Sequence, residues 1–267
     1  MPEPTWKPGA LLRASAGVHL LALAAVLFDA GLWPWALAAV VLNHGVIVFA
    51  GLWPRSHWLG PNWTRLPAPA RARREIALTI DDGPDPAVTP QVLDLLDRYA
   101  ARATFFCVGD KAARHPELCR ELVRRGHAVE NHSQHHRHHF SVTGPRSMLR
   151  ELQAAQDTLA RVSGQRPLFF RAPAGLRNPF LDPVLARLGL RLASWSVRGF
   201  DTRTGDAARV ARKLSAGLRA GAIVLLHDGN AARTPQGVPV ILEVLPGLLE
   251  SISQAGLRTV TLREALT

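Results

Sequence analysis

Two adjacent carboxylates, Asp81 and Asp82, close an apolar run over residues 76–80 and are followed by Gly83. Successive side chains of a strand point to opposite faces, so one carboxylate can hold a cation while its neighbour faces a water molecule beside it. Gly83 permits the sharp turn that this needs, although Asp and Gly also make ordinary capped turns. Further along, His132-Ser133-Gln134-His135-His136-Arg137-His138-His139 packs five histidines into eight positions. That density points to metal binding rather than core packing. His132 and His136 are four apart, so on one helical turn their rings share a face; two imidazoles and a carboxylate make the three-ligand set of an open catalytic Zn²⁺ site. His135 and His139 have the same spacing, so the tract does not select its own register, and the surplus histidines also suit a weak surface patch.

Such groups act only if a scaffold gathers them. From residue 75 the chain alternates expected strands (76–80, 103–108, 128–130, 168–170, 190–196, 222–226, 258–261) with expected helices (89–101, 110–125, 145–162, 180–188, 206–220, 238–255). Several helices close at a glycine, as at Gly126, Gly164 and Gly189. About seven β/α units around a parallel sheet or barrel result, and in that architecture chemistry belongs at the C-terminal ends of the strands. The Asp pair, His132, Arg171, Asp201 and His227 all fall there.

The first 57 residues differ in kind. From Ala14 to Trp53 the only formally charged residue is Asp29, which with Gly31 and Pro34 divides two apolar arms, 11–28 and 35–53. Each is close to the ~17–25 residues of a spanning helix. A two-helix membrane hairpin is expected, since a cleaved signal peptide leaves the second arm unexplained. Trp33, Trp35, Trp53, Trp58 and Trp63 lie at the ends of the arms, as in an interfacial aromatic belt. His19, Asn43 and His44 inside the arms read as helix-packing groups. Lys7 and Arg13 precede the first arm, and Arg55, Arg65, Arg71, Arg73 and Arg74 follow the second, whereas the turn has no cation. Both ends are therefore expected in the cytoplasm, with residues 58–74 a basic, Pro-rich linker near anionic headgroups and residues 75–267 the catalytic domain.

Composition excludes other classes. Of 267 residues 47% are apolar and 20% charged, without charge blocks, which argues against a disordered chain. The net charge of +11 suits an anionic partner, but the arginines are spread over helix surfaces and no recognition motif accompanies them, so nucleic-acid binding is not expected. Cys107 and Cys119 supply neither a disulfide scaffold nor a thiolate metal site, and read as reduced packing residues.

Thr79-Ile80-Asp81-Asp82-Gly83, His132-Ser133-Gln134-His135-His136, Arg171-Ala172-Pro173-Ala174-Gly175, Trp195-Ser196-Val197 with Asp201, and Leu225-Leu226-His227 resemble, in order, the five motifs of the polysaccharide deacetylase family, the NodB-homology group of carbohydrate esterase family 4. The resemblance covers roughly residues 75–263 and implies a distorted (β/α)7 TIM-like barrel behind the hairpin. It implies Asp82, His132 and His136 as ligands of a divalent metal, Zn²⁺ first, with Co²⁺, Ni²⁺ or Mn²⁺ as alternatives. It further implies Asp81 as general base and His227 as general acid, with Arg171 orienting Asp81 and Asp201 holding the tautomer of His227. The resemblance also implies that Trp195 and Leu225 wall the acyl pocket and that the backbone N–H of Ala174 helps to stabilise the oxyanion. Three positions depart from the family pattern: Ala174 where Tyr is often found, Arg198 where Asp is frequent, and Thr202 where Trp is usual. The expectation is a metal-dependent hydrolase removing the N-acetyl group of an amino-sugar glycan or glycolipid, first a lipid-linked saccharide at the inner leaflet of a bacterial-type cytoplasmic membrane. Alternatives are a cell-wall or chitooligosaccharide deacetylase outside the cytoplasm and a catalytically silent glycan-binding membrane protein.

Overall fold

Two apolar helices, α1 (Ala10–Phe28) and α2 (Trp33–Leu52), open the chain in a computed structural model that describes residues 6–267. The first five positions of the expected hairpin lie outside that range. The Asp29 carboxylate stops α1 and shapes the turn by accepting the Gly31 N–H at 2.8 Å. α1 starts at Ala10, so Arg13 lies in its first turns rather than ahead of it. Both helices are long and apolar enough to cross a membrane. Their polar residues satisfy one another: Asn43 donates to Ser15 Oγ at 2.8 Å, His19 donates to the Ser15 carbonyl, and the His19 and His44 rings meet edge to face at 5.1 Å. Pairing of this kind lets polar groups persist among apolar ones.

After a short helix α3 (Ala68–Ala72) the β/α units follow. The strands are β1 (Glu75–Asp81), β2 (Ala103–Cys107), β3 (Ala128–Asn131), β4 (Phe169–Phe170), β5 (Arg191–Leu192), β6 (Val197–Arg198), β7 (Ile223–His227) and β8 (Arg258–Thr259). Between them lie α4 (Thr89–Arg98), α5 (Gly109–Arg114), α6 (Pro116–Arg124), α7 (Pro145–Ser163), α8 (Leu181–Leu188), α9 (Ala207–Ser215) and α10 (Val240–Gln254). The expected helix over 110–125 is broken at Pro116, which bars the helical conformation at His115 (φ −130°, ψ 58°).

The strands pair in parallel in the order β5-β4-β3-β2-β1-β7-β6, with β8 beside the foot of β1. Strand periodicity divides β1 cleanly: Ile76, Leu78 and Ile80 enter the core beneath the helices with Leu93 of α4 and Leu245 of α10, while Ala77 joins Phe106, Phe169 and Leu225 on the concave side. On that side Thr79 and Asp81 follow Ala77, and His227 follows Leu225. Register sets Asp81 opposite His227.

The barrel is half open. Of the strand expected over 190–196 only β5 forms, on β4; β6 starts just beyond it at Val197, on β7, with no pairing between the two. Residues 63–66 cross the seam: Trp63 bridges Ala193, and the Leu66 N–H donates to the Gly221 carbonyl at 2.9 Å. The segment read as a linker is therefore packed, with Leu66 and Ala70 buried. Arg73 pairs with Glu75 and Arg74 donates to the carbonyls of Ala255 and Gly256, which puts both at the foot of the barrel rather than against headgroups.

The hairpin is seated on the opposite end. The Arg177 N–H donates to the Gly51 carbonyl at 3.1 Å, and the Arg177 guanidinium donates to the Ser56 carbonyl. Asn62 donates to the carbonyls of Pro54 and Ser56 at 2.9 and 3.0 Å. Gly175, at φ +74°, lies between the two parts: a Cβ there would come within 2.5 Å of the Trp195 ring and 2.8 Å of Pro54.

Candidate active site

Asp82, His132 and His136 bring one donor atom each within 4.8 Å of one another. Asp82 Oδ1 lies 3.1 Å from His132 Nε2 and 3.1 Å from His136 Nε2. His132 Nδ1 donates to the Arg171 carbonyl at 2.9 Å, which leaves its Nε2 as a lone pair aimed at the carboxylate. Buried Asp82 Oδ1 has no hydrogen-bond partner. Electron-rich atoms turned on one another in this way need a cation between them, and tetrahedral Zn²⁺ ligands at ~2.0–2.1 Å from the metal lie about 3.3 Å apart. The residues fit a divalent metal. Burial pushes the Asp82 carboxyl up, but His132 and His136 outweigh it and hold the group well below the ordinary carboxylate range.

The convergence does not come from a helical turn, as the spacing had suggested. Residues 132–136 form a bent loop in which Ser133 (φ 66°) and His136 (φ 51°) are left-handed, and Asp82 is left-handed too (φ 74°). Ser133 stabilises the bend: its N–H donates to Asn131 Oδ1 at 2.8 Å and its Oγ accepts the His136 N–H at 3.0 Å. His135 turns outward to Glu151 at 2.7 Å, and His138 and His139 are exposed.

Beside the three donors, the Arg171 guanidinium donates to Asp81 Oδ1 at 2.6 Å, Thr79 Oγ1 at 2.8 Å, and the carbonyls of Ser194 and Ala193 at 2.8 and 3.1 Å. It lies 4.2 Å over the Phe106 ring and is 1% exposed. A buried guanidinium with all these partners fixes the direction of the carboxylate it serves. On the other flank Asp201 takes the His227 backbone N–H at 2.7 Å and the Nδ1–H at 3.0 Å, leaving Nε2 for the cavity. Burial pushes the His227 imidazole down, but Asp201 and then Asp81 and Asp82 more than offset this, and its pKa is raised.

Asp81, Asp82, His132, His136 and His227 line one cavity of roughly 240 Å³, which Ala174, Trp195 and Leu225 also border. Trp195 and Leu225 give this cavity an apolar stretch of wall. Cys107 and Cys119 are buried free thiols outside it. Several residues escaped the sequence reading. Asn230 donates to Asp82 Oδ2 at 3.0 Å and Lys111 to the Asp82 carbonyl at 2.7 Å, steadying a strained ligand. Asp228, buried against Thr89, is pushed up to about 7 by burial. The Asp-Gly-Asn run directly after His227 was the available signal for Asn230; nothing local pointed to Lys111.

A sequence model described as polysaccharide deacetylase matches residues 68–193. The chain is similar to a peptidoglycan-N-acetylglucosamine deacetylase of Bacillus cereus, with 34% identity over 193 residues, 72% of this chain and 87% of that protein. It is also similar to a chitooligosaccharide deacetylase of a Bradyrhizobium species, at 38% over 157 residues, 58% of this chain and 71% of that one. Among solved structures, a family 4 carbohydrate esterase from Streptomyces lividans superposes with a TM-score of 0.63 at 31% identity, over 69% of this chain and 91% of that one.

Proposed function

This chain belongs to the polysaccharide deacetylase family, carbohydrate esterase family 4, and from that premise we propose that it removes the N-acetyl group from an amino sugar at a membrane surface. It is a hydrolase of carbon–nitrogen amide bonds. The observation that carries the site assignment is the joint lining of one cavity by a three-donor cluster, an Arg-held carboxylate and an Asp-held imidazole.

Asp82, His132 and His136 would hold the divalent metal, Zn²⁺ in the first instance. When bound, such an ion acidifies water and polarises an amide carbonyl. Asp81, oriented by Arg171, takes the proton from the attacking water, and the backbone N–H of Ala174 supports the developing oxyanion. His227 gives its Nε2 proton to the departing amine, while Asp201 keeps the ring in the Nδ1–H tautomer and favours the charged form. Trp195 and Leu225 enclose the methyl of the acyl group.

The substrate in this reading is a lipid-linked saccharide at the inner leaflet. Support comes from the cations Lys7 and Arg13 ahead of the hairpin turn, those from Arg55 onward after it, and their lack in the turn itself. A second reading, a cell-wall or chitin-type glycan outside the cytoplasm, is favoured by the substrates for which the Bacillus and Bradyrhizobium relatives are named. Acetate release from N-acetylated amino sugars, abolished by a chelator and restored by Zn²⁺, tests the activity. Asp81→Asn is expected to keep the metal and lose turnover; full activity in that variant removes Asp81 from its role. Labelling of a cysteine introduced at Thr267 separates the two sides, and an extracytoplasmic C-terminus selects the cell-wall reading.

A further inference from the structure

A second depression, roughly 550 Å³ in volume, runs from the base of the hairpin to the wall of the acyl pocket. Its lining includes Trp53, Arg55, Trp195, Arg198, Phe200 and Lys213, and no carboxylate. Trp195 and Arg198 also line the catalytic cavity, so the two spaces share a wall. The cations are held in an unusual way. The Arg198 guanidinium lies 5.2 Å from the centre of the Trp195 ring and 5.1 Å from that of the Phe200 ring, and Lys213 Nζ lies 4.5 Å from the centre of the same Phe200 ring. Among the described residues none of Arg55, Arg198 and Lys213 forms an ion pair. Arg198 Nε is moreover buried without a hydrogen-bond partner. Aromatic faces position these charges without neutralising them, and a buried donor left unpaired is costly until an acceptor arrives.

The location narrows the choice of anion. Trp53 closes α2 and clusters with Phe49 and Trp58 at 6.0–6.3 Å, with all three rings exposed. Aromatic residues at the end of an apolar helix mark the headgroup level of a bilayer. The groove thus opens where lipid phosphates lie and ends where an N-acyl sugar would react.

We propose that this groove binds the phosphate that joins a saccharide to its membrane lipid, delivering the sugar next to that phosphate into the catalytic cavity. The proposal rests on the deacetylase reading above and names the substrate class of the same site. Arg198 and Lys213 take the phosphate oxygens, Arg55 approaches from the hairpin side, and Trp53 lies along the lipid.

The test uses the full chain in phosphatidylcholine nanodiscs titrated with a radiolabelled polyprenyl monophosphate. Saturable binding is expected, at least about ten-fold weaker for the matching polyprenol without phosphate and for Arg198→Gln with Lys213→Gln, and recovered in part by Arg198→Lys. Retained Zn²⁺ content in each variant shows that the domain is folded. Equal affinity for the alcohol, or variants that bind as the parent does, overturns the proposal. Displacement by inorganic phosphate at equal concentration overturns it in favour of a free-phosphate site, and displacement by equal phosphatidylglycerol in favour of a general headgroup site. Acetate release from soluble chitotetraose is followed in parallel. Its loss with polyprenyl phosphate binding intact overturns the deacetylase reading alone, whereas turnover without that binding overturns the groove alone.

Discussion

The hairpin and the strand-end site are built on opposite solutions to the same problem. Along α1 and α2 large apolar side chains are bare, with Leu20 at 68%, Phe28 at 92% and Trp35 at 76% exposure, whereas at the strand ends Asp201 is fully buried and Arg171 nearly so. Exposed apolar surface on this scale marks a face for a membrane or another protein, and buried charge calls for partners at hydrogen-bond distance. The hairpin accordingly keeps its few polar atoms paired with one another, and the site arranges its charges as Asp81 with Arg171 and Asp201 with His227. Among the buried atoms that the site leaves unpaired is Asp82 Oδ1, between two imidazoles. An unpaired acceptor that stability does not explain is the atom that the proposed metal would take.

Variants that break this contrast follow in order of expected effect. Asp82→Asn removes the charge from the three-donor set, and both bound Zn²⁺, read by elemental mass spectrometry, and acetate release are expected to fall, the latter by roughly 10³-fold or more. Metal retained at full occupancy rejects the ligand assignment. Arg171→Met leaves the Asp81 carboxylate buried and alone, at an expected cost of about 3–5 kcal/mol in unfolding free energy. A denaturation midpoint equal to that of the parent would show that the pair is not needed for stability.

Leu42, 71% exposed on α2, probes the other region. Leu42→Asp is expected to disfavour insertion by about 3 kcal/mol, seen as loss of the chain from alkali-washed membranes. An unchanged membrane fraction removes lipid as the solvent of that face. The mildest change is Asp201→Asn. Because Asp201 favours the protonated form of His227, its loss lowers the imidazole pKa, so the proton that the leaving amine needs is lost at lower pH. The alkaline limb of kcat is expected to move toward acid, with about ten-fold less activity at neutral pH. A pH profile that stays in place refutes His227 as the acid.

The chain's own order of residues settled a good deal: the apolar runs over 76–80 and 222–226 put Asp81 and His227 at strand ends, and long uncharged runs mark both arms. Such features are local, fixed by a period of two or by helix length, and legible in one dimension. What the tertiary structure decided was everything that depends on a backbone bend or a distant partner. The left-handed residues Asp82 and His136 converge on a common point that helical spacing predicted for the wrong reason. Residues 63–66 cross a seam between strands far from them in sequence, and Gly175 admits Pro54 and Trp195 to one contact. Pattern encodes which face a side chain takes; only the packed chain fixes where two faces meet, because that position is set by the sum of all intervening dihedrals and contacts.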